Sequence, residues 1–212
     1  FFFVFPAALG LIVLGRPIVW LLFERGSFGA DDTTRTATAM AYYAAGLVSF
    51  SLVKVAVTGF YGAKDTRTPV VIGSLSMLLN IVLNCLLVRP MGYRGLALAT
   101  TISFSANFVA LYVFLCDRYG RLWDRDFVTA LIRMVVGASA AVAGAYVLRL
   151  RLLAAYSAEA LPLLRTRLVV TGLPIVLSAP AYFALCMALD VKEVGYIWRI
   201  FHRGTAETPR HT

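Results

Sequence analysis

Lys54 is the residue best placed to do chemistry, because it is a cation inside a long apolar stretch, residues 36–63. An ammonium group at membrane depth costs several kcal/mol unless it meets water, a counter-charge or a ligand. If the stretch is a helix, its period places four polar residues on one face. They are Ser51, Lys54, Thr58 and Tyr61. A lysine near the end of a span can also snorkel to the headgroups, but we favour a hydrated cavity that binds an anion.

Two further polar stripes follow the same period in the next two apolar stretches. They consist of Ser76, Asn80 and Asn84 in the first and of Thr100, Ser103 and Asn107 in the second. Amides that face lipid without partners are costly, so the simplest packing turns all three stripes toward one interior. We therefore predict a substrate cavity lined by Lys54, Ser51, Thr58 and Asn107. The alternative is that these side chains only bond between helices or to their own helix, which would hold a bundle together without binding anything.

Asn80 and Asn84 lie one helical turn apart and could direct two carbonyl oxygens at one point, to which Thr100 could add a hydroxyl. Oxygen ligands suit a hard cation such as Na⁺. No carboxylate belongs to this group, so a charged ligand would have to come from outside the chain. The pattern indicates a candidate Na⁺ site and no other cofactor or metal. The three cysteines fall in separate apolar stretches without ligand spacing, which predicts buried, inert thiols.

Composition places these residues in a membrane. Of the 212 residues, 60% are hydrophobic and 15% are charged, and the mean hydropathy is +0.78. Six stretches are long enough to cross a hydrocarbon core of about 30 Å as helices, which takes roughly 20 residues each. They cover residues 1–23, 36–63, 69–88, 95–116, 127–148 and 168–189. The alternation of a β-barrel is missing, so we predict an all-α integral membrane protein with six transmembrane helices.

The connections between these stretches predict how the chain is organised. Short turns at residues 62–69 and 89–95 predict that the helices they join are antiparallel neighbours. The charged segment 117–126 predicts a linker between a four-helix unit, residues 1–116, and two additional helices within 127–189, and residues 190–212 form a polar tail. Small residues in the fifth stretch predict close helix packing, and Pro17 predicts a break in the first. The chain starts apolar and without Met, which favours the carboxy-terminal part of a longer protein.

Other classes of function fit the sequence poorly. The acidic pairs Asp31 with Asp32 and Asp124 with Asp126 are the candidates for an enzyme acting on a polyprenyl phosphate, but neither pair has a histidine nearby. A solvated helix cap explains the first pair better. A net charge of +9 has no soluble basic domain through which to bind nucleic acid, and it suits anionic headgroups or an anionic substrate. A purely structural subunit would predict that Lys54 can be replaced without effect.

Four strings resemble, in order and spacing, the carboxy-terminal half of the MurJ (MviN) family of lipid II flippases. They are GRPIVWLLFERGSF (15–28), LVKVAVTGFYGAKDTRTPV (52–70), NIVLN (80–84) and GYRGLALATTIS (92–103). The resemblance is strong up to about residue 120 and weaker beyond, where VKEV (191–194) still fits. That family belongs to the multidrug/oligosaccharidyl-lipid/polysaccharide flippase superfamily and has fourteen spans in two lobes.

The resemblance implies spans nine to fourteen of a multi-pass protein of the bacterial inner membrane, with both ends, the linker and the tail cytoplasmic. It implies that Lys54 lines the cavity through which lipid II, an undecaprenyl-pyrophosphate-linked peptidoglycan precursor, moves by alternating access, without any covalent chemistry. Spans thirteen and fourteen would form a groove for the lipid tail among the membrane lipids. Some members bind Na⁺ at the positions of Asn80, Asn84, Leu96 and Thr100, although an Asp sometimes replaces Asn84. The amino-terminal lobe is missing, so this chain alone should not transport. Another polysaccharide-lipid or drug exporter of the superfamily is the alternative.

Overall fold

The computed structural model describes residues 2–120, 125–156 and 164–189, and these residues form helices without any strand. The helices are α1 (Val4–Phe23), α2 (Ala30–Gly62), α3 (Arg67–Met91), α4 (Tyr93–Tyr119), α5 (Arg125–Ala155), α6 (Leu164–Arg167) and α7 (Leu173–Ala188). A π-helical turn, Leu168–Gly172, joins α6 to α7. Counting this composite as one, six helices are long and apolar enough to cross a membrane. The prediction of an all-α membrane chain with six transmembrane helices is confirmed.

The helices pack in a row, in the order α3, α4, α2, α1, α5 and α7. Because α4 lies between α2 and α3, those two helices contact each other only sparsely, although a short turn joins them. The prediction that every short turn joins packed neighbours is therefore wrong for α2 and α3 and right for α3 and α4. The turn fixes the opposite directions of α2 and α3 but leaves room for a third helix. As a result, α2 and α4 run parallel.

Small and hydroxyl residues explain why α4 occupies this place. A Cβ atom on Gly46 of α2 would lie 2.8 Å from the hydroxyl of Thr101 on α4, so the two backbones approach closely. The Thr101 hydroxyl donates a hydrogen bond of 2.7 Å to the carbonyl of Tyr42, and the hydroxyls of Ser49 and Ser105 lie 2.9 Å apart. Further along the pair, a buried cluster contains Ala56, Phe60, Ile72, Leu111 and Leu115. Contacts of this kind are typical of helix pairs in membranes.

The fifth span packs closely, as its small residues predicted. Gly137 and Ala138 of α5 face α7, where the sulfur of Cys186 would lie 3.4 Å from a Cβ atom at Gly137. The ring centroids of Phe2 and Tyr182 lie 5.0 Å apart. The start of the chain therefore contacts α7, so the row of helices is curved at this end.

The predicted break in the first span is absent, because α1 continues through Pro17. A proline inside a helix removes one backbone hydrogen bond. Here Pro17 is buried, and a Cβ atom on neighbouring Gly15 would lie only 2.9 Å from the Met40 side chain on α2. Packing of α1 against α2 therefore keeps the helix whole where the local sequence favours a break.

Carboxylates at the connections cap two helices, as was predicted for Asp32 of the acidic pair. The Asp65 carboxylate accepts the backbone N–H groups of Arg67 and Thr68 at 3.1 and 3.0 Å, which caps the start of α3. Asp32 caps α2 from inside its first turn, by accepting the N–H of Gly29 at 3.2 Å. Asp124 and the tail, residues 190–212, lie outside the described residues. All three cysteines are free; Cys186 is buried as predicted, whereas Cys85 is exposed and Cys116 is half-buried.

Candidate functional site

Lys54 lies on the face of α2 that neither α1 nor α4 covers, and its side chain is exposed. Its ammonium nitrogen lies 4.6 Å from the ring centroid of Phe50, a cation–π contact one helical turn away. The Thr58 hydroxyl donates a hydrogen bond of 2.8 Å to the Lys54 carbonyl. Within the part of the chain that the structure describes, no carboxylate lies in ion-pair distance of Lys54. The positive charge is therefore available to a ligand.

A cleft of about 260 Å³ opens beside Lys54, between α2 and α4. Its walls include Phe50 and Tyr43 from α2 and Thr100 and Phe104 from α4. The Phe50 and Phe104 rings meet edge to face, with centroids 5.1 Å apart. Because Phe50 also lies under the ammonium group, Lys54 and Thr100 belong to the same side of the α2–α4 pair.

Asn80 and Asn84 lie one turn apart on α3 and contact each other, whereas their spacing had predicted two side-chain oxygens directed at one point. The Asn84 amide nitrogen donates a hydrogen bond of 2.9 Å to the side-chain oxygen of Asn80. The side-chain oxygen of Asn84 is buried and has no hydrogen-bond partner among the described residues. On α4 the Thr100 hydroxyl donates a bond of 3.0 Å to the carbonyl of Leu96. The four candidate cation ligands thus form one pair on α3 and one pair on α4, two helices that pack together, and their convergence on one point stays a prediction.

The remaining polar residues of the stripes differ in role: some form structural hydrogen bonds within a helix, and others stay candidates for lining a cavity. The Ser103 hydroxyl is buried and donates a 2.8 Å bond to the Ala99 carbonyl, as expected of a purely structural residue. Asn107, one turn further along α4, has a buried side-chain oxygen without a hydrogen-bond partner in the described chain. Ser51 is half-buried on α2. Asn107 and Ser51 therefore stay predictions as cavity residues.

Two further openings lie beside α5. The resemblance implied an apolar groove at spans thirteen and fourteen, which are α5 and α7, but it did not imply that α1 lines it, and it implied no polar cleft. An apolar cavity of about 460 Å³ lies between α1, α5 and α7, with walls that include Pro6, Gly10, Val142 and Ile175. A polar cleft of about 400 Å³ lies between the end of α1, the start of α2 and α5. Both are built by residues more than a hundred positions apart, and helical periods do not show which helices meet. For the apolar cavity, the feature visible in the sequence is the aromatic start of the chain. For the polar cleft, it is the presence of arginines in or next to the apolar stretches.

The fold and these openings define a class, that of multi-pass α-helical membrane proteins with a cationic face and an apolar cavity. A family model described as "Lipid II flippase MurJ" matches residues 1–165. The chain belongs to that family, which confirms the resemblance found in the sequence.

Individual relatives agree. A "Probable lipid II flippase MurJ" of Vibrio cholerae is 36% identical over 187 residues, which cover 88% of this chain and 35% of the relative. A "Probable lipid II flippase MurJ" of Rhizobium meliloti is 33% identical over 207 residues, which cover 97% of this chain and 38% of the relative. A solved structure, "Lipid II flippase MurJ, inward closed conformation", matches this chain with a TM-score of 0.69 and a sequence identity of 21%. The match covers 91% of this chain and 37% of the solved chain, and it shows that the two share a fold. The chain thus spans a little over a third of the relatives' length.

Proposed function

We propose that this chain forms the carboxy-terminal spans of a lipid II flippase in the bacterial inner membrane. The complete protein would move the undecaprenyl-pyrophosphate-linked peptidoglycan precursor across the membrane without making or breaking a covalent bond. The observation that carries the proposal is the family match over residues 1–165, which includes the helix that carries Lys54.

Lys54 would attract the pyrophosphate of the substrate. Its ammonium group has an aromatic ring beneath it and no counter-carboxylate among the described residues, and a cation–π contact at an exposed site is worth only about 0.5–1 kcal/mol. A phosphate group can therefore replace the ring as the partner of the ammonium group. Lysine offers a point charge rather than a fixed fork, which suits a ligand that must bind and then leave. The buried oxygen of Asn107 and the neighbouring Ser51 and Thr58 would add polar contacts to the sugar or peptide.

A second lobe would complete the cavity. Alternating access in transporters rocks one half of the protein against another around a central site. In this chain the Lys54 face of α2 is open, and the matched relatives are nearly three times as long as the part that this chain covers. Both features support a missing amino-terminal lobe that closes over Lys54. Reconstituted alone, the chain should then leave lipid II in its original leaflet.

The apolar cavity between α1, α5 and α7 would hold the undecaprenyl tail. Its volume is about 460 Å³, and its walls are almost entirely apolar. An isoprenoid chain needs such a surface when the headgroup travels inside the protein, since burying apolar area is favourable at about 25 cal/mol per Å².

The proposal is tested by complementation with the complete gene carrying Lys54→Ala, with expression checked. Loss of a charge-assisted contact predicts a fall of about tenfold to a hundredfold in lipid II export, and failure to support growth. Lys64→Ala is the matched control, because it deletes the same side chain from the turn after α2 and should leave export unchanged. Wild-type export by the Lys54→Ala protein would reject a substrate role for this lysine.

We also propose that Na⁺ binds between α3 and α4. The support is a set of oxygen donors, namely the unpartnered Asn84 oxygen, the Asn80 oxygen, the Leu96 carbonyl and the Thr100 hydroxyl. The residues fit a hard monovalent cation, and bound Na⁺ would tie the two helices together.

The test of this site compares export at several Na⁺ concentrations. The double substitution Asn80→Ala with Asn84→Ala should abolish any dependence of export on Na⁺. Ser74→Ala is the control, because among the described residues that hydroxyl bonds to the Val70 carbonyl on the same helix and to no other group. A Na⁺ response that survives in the double mutant would exclude this site.

A further inference from the structure

The polar cleft lies at the opposite end of the bundle from Lys54, where α1 ends and α2 begins. Its walls include Thr33 in the first turn of α2, which is about 30 Å from Lys54 along the helix axis at 1.5 Å per residue. The cleft is therefore separate from the proposed cavity for the pyrophosphate. It has a volume of about 400 Å³ and takes its polar walls from α1, α2 and α5.

Two arginines line this cleft without partners. Neither Arg16 of α1 nor Arg149 of α5 has a hydrogen bond or a carboxylate in ion-pair distance among the described residues. The Nε atom of Arg149 is completely buried. A guanidinium group carries five N–H donors, and leaving a buried donor unsatisfied is costly. A ligand with several acceptor oxygens would satisfy both side chains.

The cleft keeps a net positive charge, because its lining holds two guanidinium groups and one carboxylate. Glu24 is the acidic residue of the lining, and its carboxylate accepts a 2.7 Å hydrogen bond from the Thr33 hydroxyl. The Arg167 guanidinium lies 4.5 Å from the ring centroid of Trp20 and donates a 2.8 Å bond to the Glu24 carbonyl. Arg167 therefore caps the carbonyl end of α1 and adds a third positive charge beside the cleft.

We propose that this cleft binds the phosphate group of a membrane phospholipid, with Arg16 and Arg149 as its ligands. Arginine binds phosphate oxygens through two parallel N–H groups, which gives both strength and orientation. The position also fits a lipid headgroup, because the cleft is at the ends of three membrane-spanning helices and one wall is Trp20, a residue type enriched at that depth. The site goes beyond the flippase proposal, since it needs no lipid II. Free phosphate offers the same oxygens, and the experiment separates the two sources.

The test titrates the purified full chain, in uncharged detergent, with three probes in a calorimeter. The probes are a short-chain phosphatidylglycerol, the matching diacylglycerol without phosphate, and inorganic phosphate. We expect one phosphatidylglycerol to bind per chain, no binding of diacylglycerol, and about tenfold weaker lipid binding by Arg16→Gln. Equal binding of diacylglycerol, or unchanged affinity in Arg16→Gln, would overturn the site. Inorganic phosphate that binds as tightly as the lipid would overturn the assignment to a lipid.

A control removes two positive charges, one more than Arg16→Gln does, from the same end of the bundle. Arg89 and Arg94 flank the turn from α3 to α4 and are both exposed. The double substitution Arg89→Gln with Arg94→Gln should keep wild-type affinity, whereas equal loss in this control would show unspecific charge attraction and overturn the proposal. Arg149→Lys keeps the charge and should bind more tightly than Arg149→Gln. Arg16 is exposed, so Arg16→Gln decides the question even where Arg149→Gln does not fold.

Discussion

At the scale of single residues, the same kind of charge has different surroundings at different places in this chain. Arg118 at the end of α4 pairs with the Asp65 carboxylate in the turn between α2 and α3. That pair ties two connections at one end of the bundle together. Lys54, Arg16 and Arg149 have no such partner among the described residues. Cations left without counter-charges in a membrane protein are candidates for binding, whereas a paired cation at a turn is explained by structure.

Asp65 gives a prediction about pH. The pKa of its carboxyl is lowered, chiefly because the backbone N–H of Thr68 donates to it, and further by the Thr68 hydroxyl and by Arg118. A carboxyl whose pKa is lower in the folded state stabilises the fold fully above its unfolded pKa of about 4, and this contribution is lost as the pH falls through the folded value. Asp65→Asn should therefore lower the Tm at pH 7, and the difference from wild type should shrink towards pH 3.

Thermal unfolding in detergent at the two pH values measures this effect. Asp117→Asn is the control, because Asp117 is exposed at the same end of the bundle, and its carboxylate accepts no hydrogen bond and forms no ion pair among the described residues. It should change the Tm little at either pH. A Tm difference for Asp65→Asn that is the same at pH 3 and pH 7 would contradict the proposed role of the charge.

At the scale of elements, α4 holds the bundle together, because it packs along both α2 and α3. Gly46→Ala should push α2 away from α4, since the added methyl group would lie 2.8 Å from the Thr101 hydroxyl and 3.3 Å from the Thr101 Cα atom. Overpacking of this kind costs about 1–3 kcal/mol of unfolding free energy. Gly73→Ala is the matched control, because its Cβ atom meets nothing within 4 Å. It should be neutral or stabilise α3 by up to about 1 kcal/mol.

The free energy of unfolding of the two glycine variants is compared in a mild detergent. Unfolding is monitored through the loss of the helical circular dichroism signal. The proposed packing is supported if Gly46→Ala alone lowers stability. Equal stability of the two variants would mean that α2 and α4 separate easily, contrary to their close approach at Thr101.

The elements also show what the sequence can and cannot predict. Apolar length and helical period gave all six spans, and the period also placed Asn80 and Asn84 on one face of one helix, although the hydrogen bond between them was not predicted. Both are local properties of one helix. Periods mark the face that a helix buries but not the helix that covers it, so the place of α4 between α2 and α3 was missed. Pro17 failed as a break for a similar reason, because contacts with α2 outweigh a local preference. Arg16 and Arg149 line the same cleft only because α1 packs against α5, and the sequence does not show this packing.

At the scale of the whole molecule, the row of described helices carries three features that suit parts of a ligand. The cationic face with Lys54 and the arginine cleft lie toward opposite ends of α2, and the apolar cavity lies between α1, α5 and α7. A substrate with a charged head and a long apolar tail needs the first and the third together. The proposed function therefore requires that the apolar cavity stays open while the head moves.

A larger side chain at Gly10 tests whether that apolar cavity must stay open. Gly10 of α1 lines the cavity, and a Cβ atom there meets nothing within 4 Å. Gly10→Leu should therefore fold normally but occupy space that the lipid tail needs, and lower lipid II export several-fold in the complete protein. Gly144→Leu is the control, because Gly144 of α5 is also open but lies outside the cavity walls. If both variants export like wild type at equal expression, the tail travels elsewhere, and the cavity is only a gap in helix packing.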